Sequence, residues 1–152
     1  MEAWDPPLDP HRLIMDPATH LSARAPEPVG PYSHARRAGN LLFLAGIGPR
    51  VRGKSEVPGV TLDAEGRVLS YDFESQCRQA FENVRMVLED AGSAWENIVD
   101  VTAFLTDLGR DFATFNRLYA QAFGDNRPTR TTVEVNRLPT PIAIELKVIA
   151  TL

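Results

Sequence analysis

The apolar residues of this chain follow two periods, and each predicts its own kind of element. Between Asp72 and Gly92, Cys77, Phe81, Val84, Leu88 and Ala91 recur every three or four residues, which puts them on one face of an α-helix. Asp72 is placed to cap its start and Gly92 to end it. A second helix carries Phe112, Phe115, Leu118, Tyr119, Ala122 and Phe123, with Asp111 as its expected cap and Gly124 as its stop. The remaining apolar stretches are short and bounded by turn formers. Ser33 to Arg37 and Leu41 to Ile47 flank Gly39-Asn40 and predict a β-hairpin. Residues 48 to 69, rich in glycine and charge, predict a long excursion with two weak strands, Val60 to Leu62 and Arg67 to Leu69, around the turn Asp63-Ala-Glu-Gly66. Ile98 to Leu105 is β-branched and apolar, hence a strand. Two more, Thr131 to Arg137 and Ile142 to Thr151, follow the second helix. The order β-β-(β)-α-β-α-β-β predicts an α+β domain: a mixed β-sheet with both helices packed on one face and the other face uncovered.

The last two strands lie close enough in sequence to be read as a hairpin closed across Leu138-Pro-Thr-Pro141. In that register Val135 opposes Ile144 and Val133 opposes Leu146, an apolar set for the helix side. Arg130, Thr132, Glu134, Glu145 and Lys147 then share the reverse face. This polar group is either a solvated face with loose ion pairs or the lining of an interface. Glu134 opposite Glu145 is an unfavourable like-charge pairing, which asks for a further partner.

Composition narrows the possibilities. A chain of 152 residues, 43% hydrophobic, can bury one core. Residues 1 to 31 hold seven of the twelve prolines and predict an extended arm, with residues 1–27 as an extension and 28–152 as a single domain. Its apolar patch, Leu13-Ile14-Met15, is a candidate docking segment or part of a plain tail. Sixteen basic side chains against twenty acidic ones, with no basic block, argue against nucleic acid as a partner. The longest apolar run, Leu41 to Ile47, is far short of a membrane helix, and the acidic, proline-broken start lacks the features of a secretory signal. With a single cysteine, Cys77, on the apolar stripe of the first helix, the expected compartment is the cytoplasm. His11, His20 and His34 have no metal-ligand spacing, so neither metal nor cofactor is expected.

The motifs carry a resemblance. Pro28-Val-Gly-Pro-Tyr-Ser33, Leu42-Phe-Leu-Ala-Gly46, Glu82-Asn-Val84, Asp111-Phe-Ala-Thr-Phe-Asn116, Arg127-Pro-Thr-Arg130, Val133-Glu-Val-Asn-Arg-Leu-Pro139 and Ile144-Glu145 follow one another in order and spacing. Together they resemble the reactive intermediate deaminases, the YjgF or L-PSP family, over about residues 28 to 152. The resemblance implies a chorismate mutase-like fold and a homotrimer with a central β-barrel and ligand clefts between subunits. It implies hydrolysis of reactive enamine or imine acids to a keto acid and ammonia, without a cofactor. Arg130 matches the arginine that grips the substrate carboxylate, and Glu145 matches the acid that orients or activates water. Tyr32 and Asn116 match cleft residues.

Departures shift the picture. Ala45-Gly46-Ile47 stands where many members have Ser-Gly-Gln, and Thr132 stands where many have cysteine. Pro128-Thr-Arg-Thr-Thr-Val133, Tyr32 with His34, the Arg36-to-Asn40 turn and the 48–69 excursion look more like the 2-aminomuconate deaminase branch. His34 is then a candidate cleft residue, as acid, base or second carboxylate contact, or else a lone surface histidine. Arg50, Arg52 and Lys54 are solvated loop charges or an attraction for an acidic substrate. The alternative functions are a non-catalytic trimer that binds 2-keto acids and an RNA-cleaving protein, a role attributed to relatives.

Overall fold

The computed structural model describes residues 18–152. The Leu13-Ile14-Met15 patch and most of the proline-rich extension lie outside these residues. A six-stranded sheet is built from β1 (Thr19–His20), β2 (Ala35–Ala38), β3 (Leu41–Leu44), β6 (Ile98–Leu105), β7 (Thr129–Glu134) and β8 (Ile144–Thr151). Its order is β1-β2-β3-β8-β6-β7. A separate two-stranded sheet pairs β4 (Val60–Leu62) with β5 (Val68–Tyr71). Two helices, α1 (Phe73–Asp90) and α2 (Leu108–Phe123), contribute to one core with the sheet. This is the expected α+β architecture, a mixed sheet with two helices.

Local rules place most elements. The Asp72 side chain accepts the Ser75 N–H at the start of α1. At its other end Gly92, with φ +84°, lets the Ser93 N–H reach the Leu88 carbonyl and its own N–H reach Glu89, a Schellman ending. Gly39, with φ +61°, turns the β2–β3 hairpin. The apolar stripe of α1 buries Cys77, Phe81, Val84 and Leu88 beside Phe115 and Leu118 of α2. Burial raises the Cys77 thiol to about 12, so it is a core side chain.

The expected final hairpin does not form. Strand β6 stands between β7 and β8, pairing parallel with the first and antiparallel with the second. Two causes are visible. Helix α2 is a crossover connection that returns the chain to lie parallel beside β6. The linker to β8 is also no tight turn: Leu138 and Ile142 are buried there against Val57, and the Ala143 N–H is held by the Gln76 side chain at 2.7 Å. The two eight-residue strands, β6 and β8, are adjacent inside the sheet, each with a strand on both sides. Pairing between distant strands therefore displaces the neighbour-to-neighbour pairing, and Glu134 and Glu145 never meet.

The N-cap of α2 also differs from expectation. Asp107 caps it, accepting from Arg110 N–H, while Asp111 lies one turn further in and is 3% exposed. Its carboxylate receives the Tyr71 hydroxyl at 2.5 Å, which latches the end of β5 to α2. The end of the extension also packs on the body. Ala25 is buried in the core, β1 pairs with β2 at the sheet edge, and Arg24 donates to Asp90 at 2.6 Å and 2.9 Å.

Candidate functional site

Once β7 is paired with β6, the faces of its side chains change. Arg130 sits opposite Val101 and Thr132 opposite Ala103, and both of those partners are buried in the helix-side core. Arg130, Thr132 and Glu134 therefore project toward the helices, not onto the uncovered face as the hairpin register had it. The contacts agree. The Arg130 guanidinium lies 4.6 Å from the Tyr119 ring centroid, 5.0 Å from that of Phe115 and 5.9 Å from that of Phe112, and its Nη2 donates to Asn116 Oδ1 at 2.7 Å. Phe112, Phe115, Asn116 and Tyr119 share one face of α2 because they are spaced by three and four residues. The helix thus supplies a π-surface and one acceptor that hold the guanidinium. Its other N–H groups have no partner among the described residues. Thr132 Oγ1 and Tyr119 Oη are buried and have no hydrogen-bond partner among these residues, and burial raises the Tyr119 phenol to about 12. Glu134 has a separate task, accepting the Leu108 N–H at the start of α2.

Glu145 belongs to the other face. It pairs across from Phe104 on β6, and its neighbours Ile144 and Leu146 point into the core. Here the expected placement of Glu145 and Lys147 on the uncovered face is what the structure has. Glu145 lines a cavity of about 600 Å³ with Tyr32, Ser33, Arg36, Phe43, Ala45, Gly46, Arg50 and Lys147 among its walls. No donor among the described residues bonds its carboxylate. Desolvation raises its pKa, and the positive charge of Arg50 opposes that only in part. Gly46 makes room for it, since a Cβ there would lie well inside contact distance of the Glu145 carboxylate. A carboxyl group in this setting is easier to protonate than a solvated one, as an acid–base catalyst requires.

The two constellations are apart within one chain. Arg130 and Glu145 are separated by three positions along the strands and by two strand spacings, about 14 Å between backbones at ~3.3 Å per residue and ~4.8 Å per strand, and they point to opposite faces. Asn116 joins Arg130; Tyr32 joins Glu145, 43% exposed at the cavity wall. His34 joins neither. It is 4% exposed, its Nδ1 accepts the Ser22 N–H at 2.9 Å, and its Nε2 meets the Pro26 carbonyl at 2.8 Å, an arrangement that makes Nε2 the protonated nitrogen. This overturns the reading of His34 as a surface histidine: it is a buried peg for the segment ahead of β2, beside a small pocket that Tyr32, Gly46 and Arg50 also line.

Two further groups shape the cavity, Asn83 of the Glu82-Asn-Val84 motif and the loop charge Arg50. Asn83, 1% exposed, donates to the carbonyls of Gly48 and Arg50 and so fixes the loop that carries Arg50. A buried polar residue on an apolar helix stripe was the available signal. Arg50 itself donates to the Glu27 carbonyl at 2.7 Å. Among the described residues no three His, Cys, Asp or Glu side chains gather as metal ligands, and no helix is long and apolar enough to cross a membrane.

Comparison with known proteins shows the family and the fold. Residues 22–152 match the family model described as Endoribonuclease L-PSP. A RutC family protein of Pyrococcus horikoshii is 41% identical over 131 residues, which cover 86% of this chain and 94% of the relative. TdcF of Escherichia coli, which carries a reactive intermediate deaminase name, is 35% identical over 130 residues, covering 84% and 91%. Among solved structures, the Escherichia coli YjgF product superposes with TM-score 0.74 at 34% identity, covering 88% of this chain and 97% of that one. Escherichia coli TdcF with bound serine gives TM-score 0.73 at 33% identity, covering 88% and 98%. The chain belongs to the L-PSP family, the reactive intermediate deaminases that include YjgF and TdcF.

Proposed function

We propose that this protein is a cofactor-independent deaminase of reactive enamine and imine carboxylic acids, working in clefts between the subunits of a homotrimer. The observation that carries the reading is Arg130: a guanidinium held by an aromatic face and by Asn116, with its remaining N–H groups unpaired among the described residues. A planar fork of this kind pairs bidentately with a carboxylate. Arg130 and Glu145 point to opposite faces of one sheet, and in the proposed trimer the Arg130 side of one subunit meets the Glu145 cavity of the next. That TdcF was solved with bound serine, a small carboxylic acid, supports the ligand class.

In the proposed reaction the substrate carboxylate sits on Arg130, which fixes C2 before Glu145. The enamine takes a proton from solvent at C3 and becomes an iminium. Glu145 accepts a proton from water as the water oxygen bonds to C2 and returns it to the nitrogen; the hydroxyl of the carbinolamine then gives its proton to solvent as the C=O forms, the C–N bond breaks, and ammonia and a 2-keto acid leave. Tyr32 and Thr132 border the cleft. The small substrate of this class is 2-aminoacrylate; 2-aminomuconate is the longer one, favoured by Ala45 and Thr132 in place of hydroxyl and thiol side chains. Ammonia release is measured with each, generated in situ. Consumption faster than in buffer, lost in Arg130→Ala, is expected; equal rates for the variant and the parent would sink the mechanism. Saturable keto-acid binding with no turnover of either enamine would instead identify a non-catalytic binder.

A further inference from the structure

Among the described residues, the walls of the cavity around Glu145 carry Arg50 and Lys147 near that one carboxylate. Arg50 is turned in part to the Glu27 carbonyl. Lys147 differs. Its ammonium donates to the Leu44 carbonyl and has no carboxylate partner among the described residues. It lies on the same strand and face as Glu145, two residues on, about 7 Å along β8. Desolvation lowers its pKa, with no acid beside it to act in the other direction. A cation so placed gains from an anion brought to it. The cavity has room for one: about 600 Å³ is in the size range that holds ligands much larger than a three-carbon acid.

We infer that Lys147 binds a second anionic group of the ligand, a carboxylate at the end remote from Arg130, so that the site prefers dicarboxylates to monocarboxylates. The inference rests on the reading of Arg130 and the Glu145 cavity as two sides of one cleft, and it adds a specificity-determining residue to it. In the bound ligand the reacting carbon lies between the two anchors, within reach of Glu145. Arg50 adds to the attraction from the loop fixed by Asn83.

The test uses two stable product-like probes, pyruvate with one carboxylate and 2-oxoglutarate with two, titrated calorimetrically into the full chain. The parent is expected to bind 2-oxoglutarate about tenfold more tightly than pyruvate, the scale of one charge-assisted hydrogen bond. Lys147→Met should abolish that preference while leaving the pyruvate affinity unchanged, and Lys147→Arg should keep it. Lys147 lies on the sheet face away from the core, so these variants leave the core intact. A parent without the preference, or a Lys147→Met protein that retains it, overturns the inference. Failure of the underlying reading has a different signature: Arg130→Ala would then bind pyruvate as well as the parent does.

Discussion

Arg130 and Glu145 sit in opposite kinds of surroundings. Arg130 is a charge held in place: three rings and an amide oxygen surround it, on a sheet edge covered by α2. Glu145 is a charge left without support: it accepts no hydrogen bond among the described residues, and its surroundings favour the protonated form. The difference suits two tasks. A binding group should be fixed in one geometry, whereas a proton-transfer group should have a pKa moved toward the working pH. A small fold thus carries both on opposite faces of one sheet, and in the proposed function a second copy brings them together.

The largest expected effect breaks the Arg130 side. Arg130→Ala should lower kcat/KM by about a thousandfold, the upper end for loss of one oriented donor. Arg130→Lys should recover little, because a point charge cannot form the paired contact. Initial rates of ammonia release read both. Glu145→Gln should cost about a hundredfold or more in kcat, while keto-acid binding by Arg130 persists. In the parent the ionised carboxylate is the base, so activity should rise with pH through a value above the ordinary 4.5.

The same raised pKa has a consequence for stability. A carboxyl group that holds its proton more tightly when folded adds stability that is fully present below the unfolded pKa and is lost as pH rises through the folded one. At neutral pH the ionised Glu145 therefore weakens the fold, and Glu145→Gln should raise Tm by about 2 °C while removing activity. A lower Tm at neutral pH would contradict the assignment of Glu145 as an unsupported charge.

Smaller changes sharpen the comparison. Gly46→Ala drives a methyl group into the Glu145 carboxylate and should reduce kcat about tenfold to a hundredfold, as misplacement by about 1 Å does, with Tm little changed. Tyr71→Phe should leave activity near the parent's. It removes the donor to the buried Asp111 and should cost about 1–3 kcal/mol, read as a lower denaturation midpoint.

What could be read in advance divides along the same line as the physics. Helix α1, the Gly39 turn and the β4–β5 excursion depend on neighbours within a few residues, and their spacing and glycines announced them. The α2 cap was misassigned because Asp107 and Asp111 are both plausible caps, and only the tertiary contact with Tyr71 draws Asp111 inward. The β7–β8 pairing was missed for a larger reason. Sheet neighbours are chosen by long-range burial, and a strand given the wrong partner turns its whole set of side chains to the other face. Glu145 kept its face since the parity of β8 follows from its own apolar alternation. Arg130 did not, because β7 has weak alternation and its face comes from β6. His34, held by backbone groups on both sides, left no trace in local pattern.

In the proposed trimer one cleft takes Arg130 from one subunit and Glu145 from another. Arg130→Ala and Glu145→Gln proteins, each inactive alone, can be mixed under conditions that allow subunits to exchange, with exchange followed by native mass spectrometry. Random reassortment restores both residues in about one cleft in four, so the mixture should regain about a quarter of parental ammonia release. A mixture that has exchanged subunits and stays as inactive as its parents would mean that the two residues do not meet across an interface.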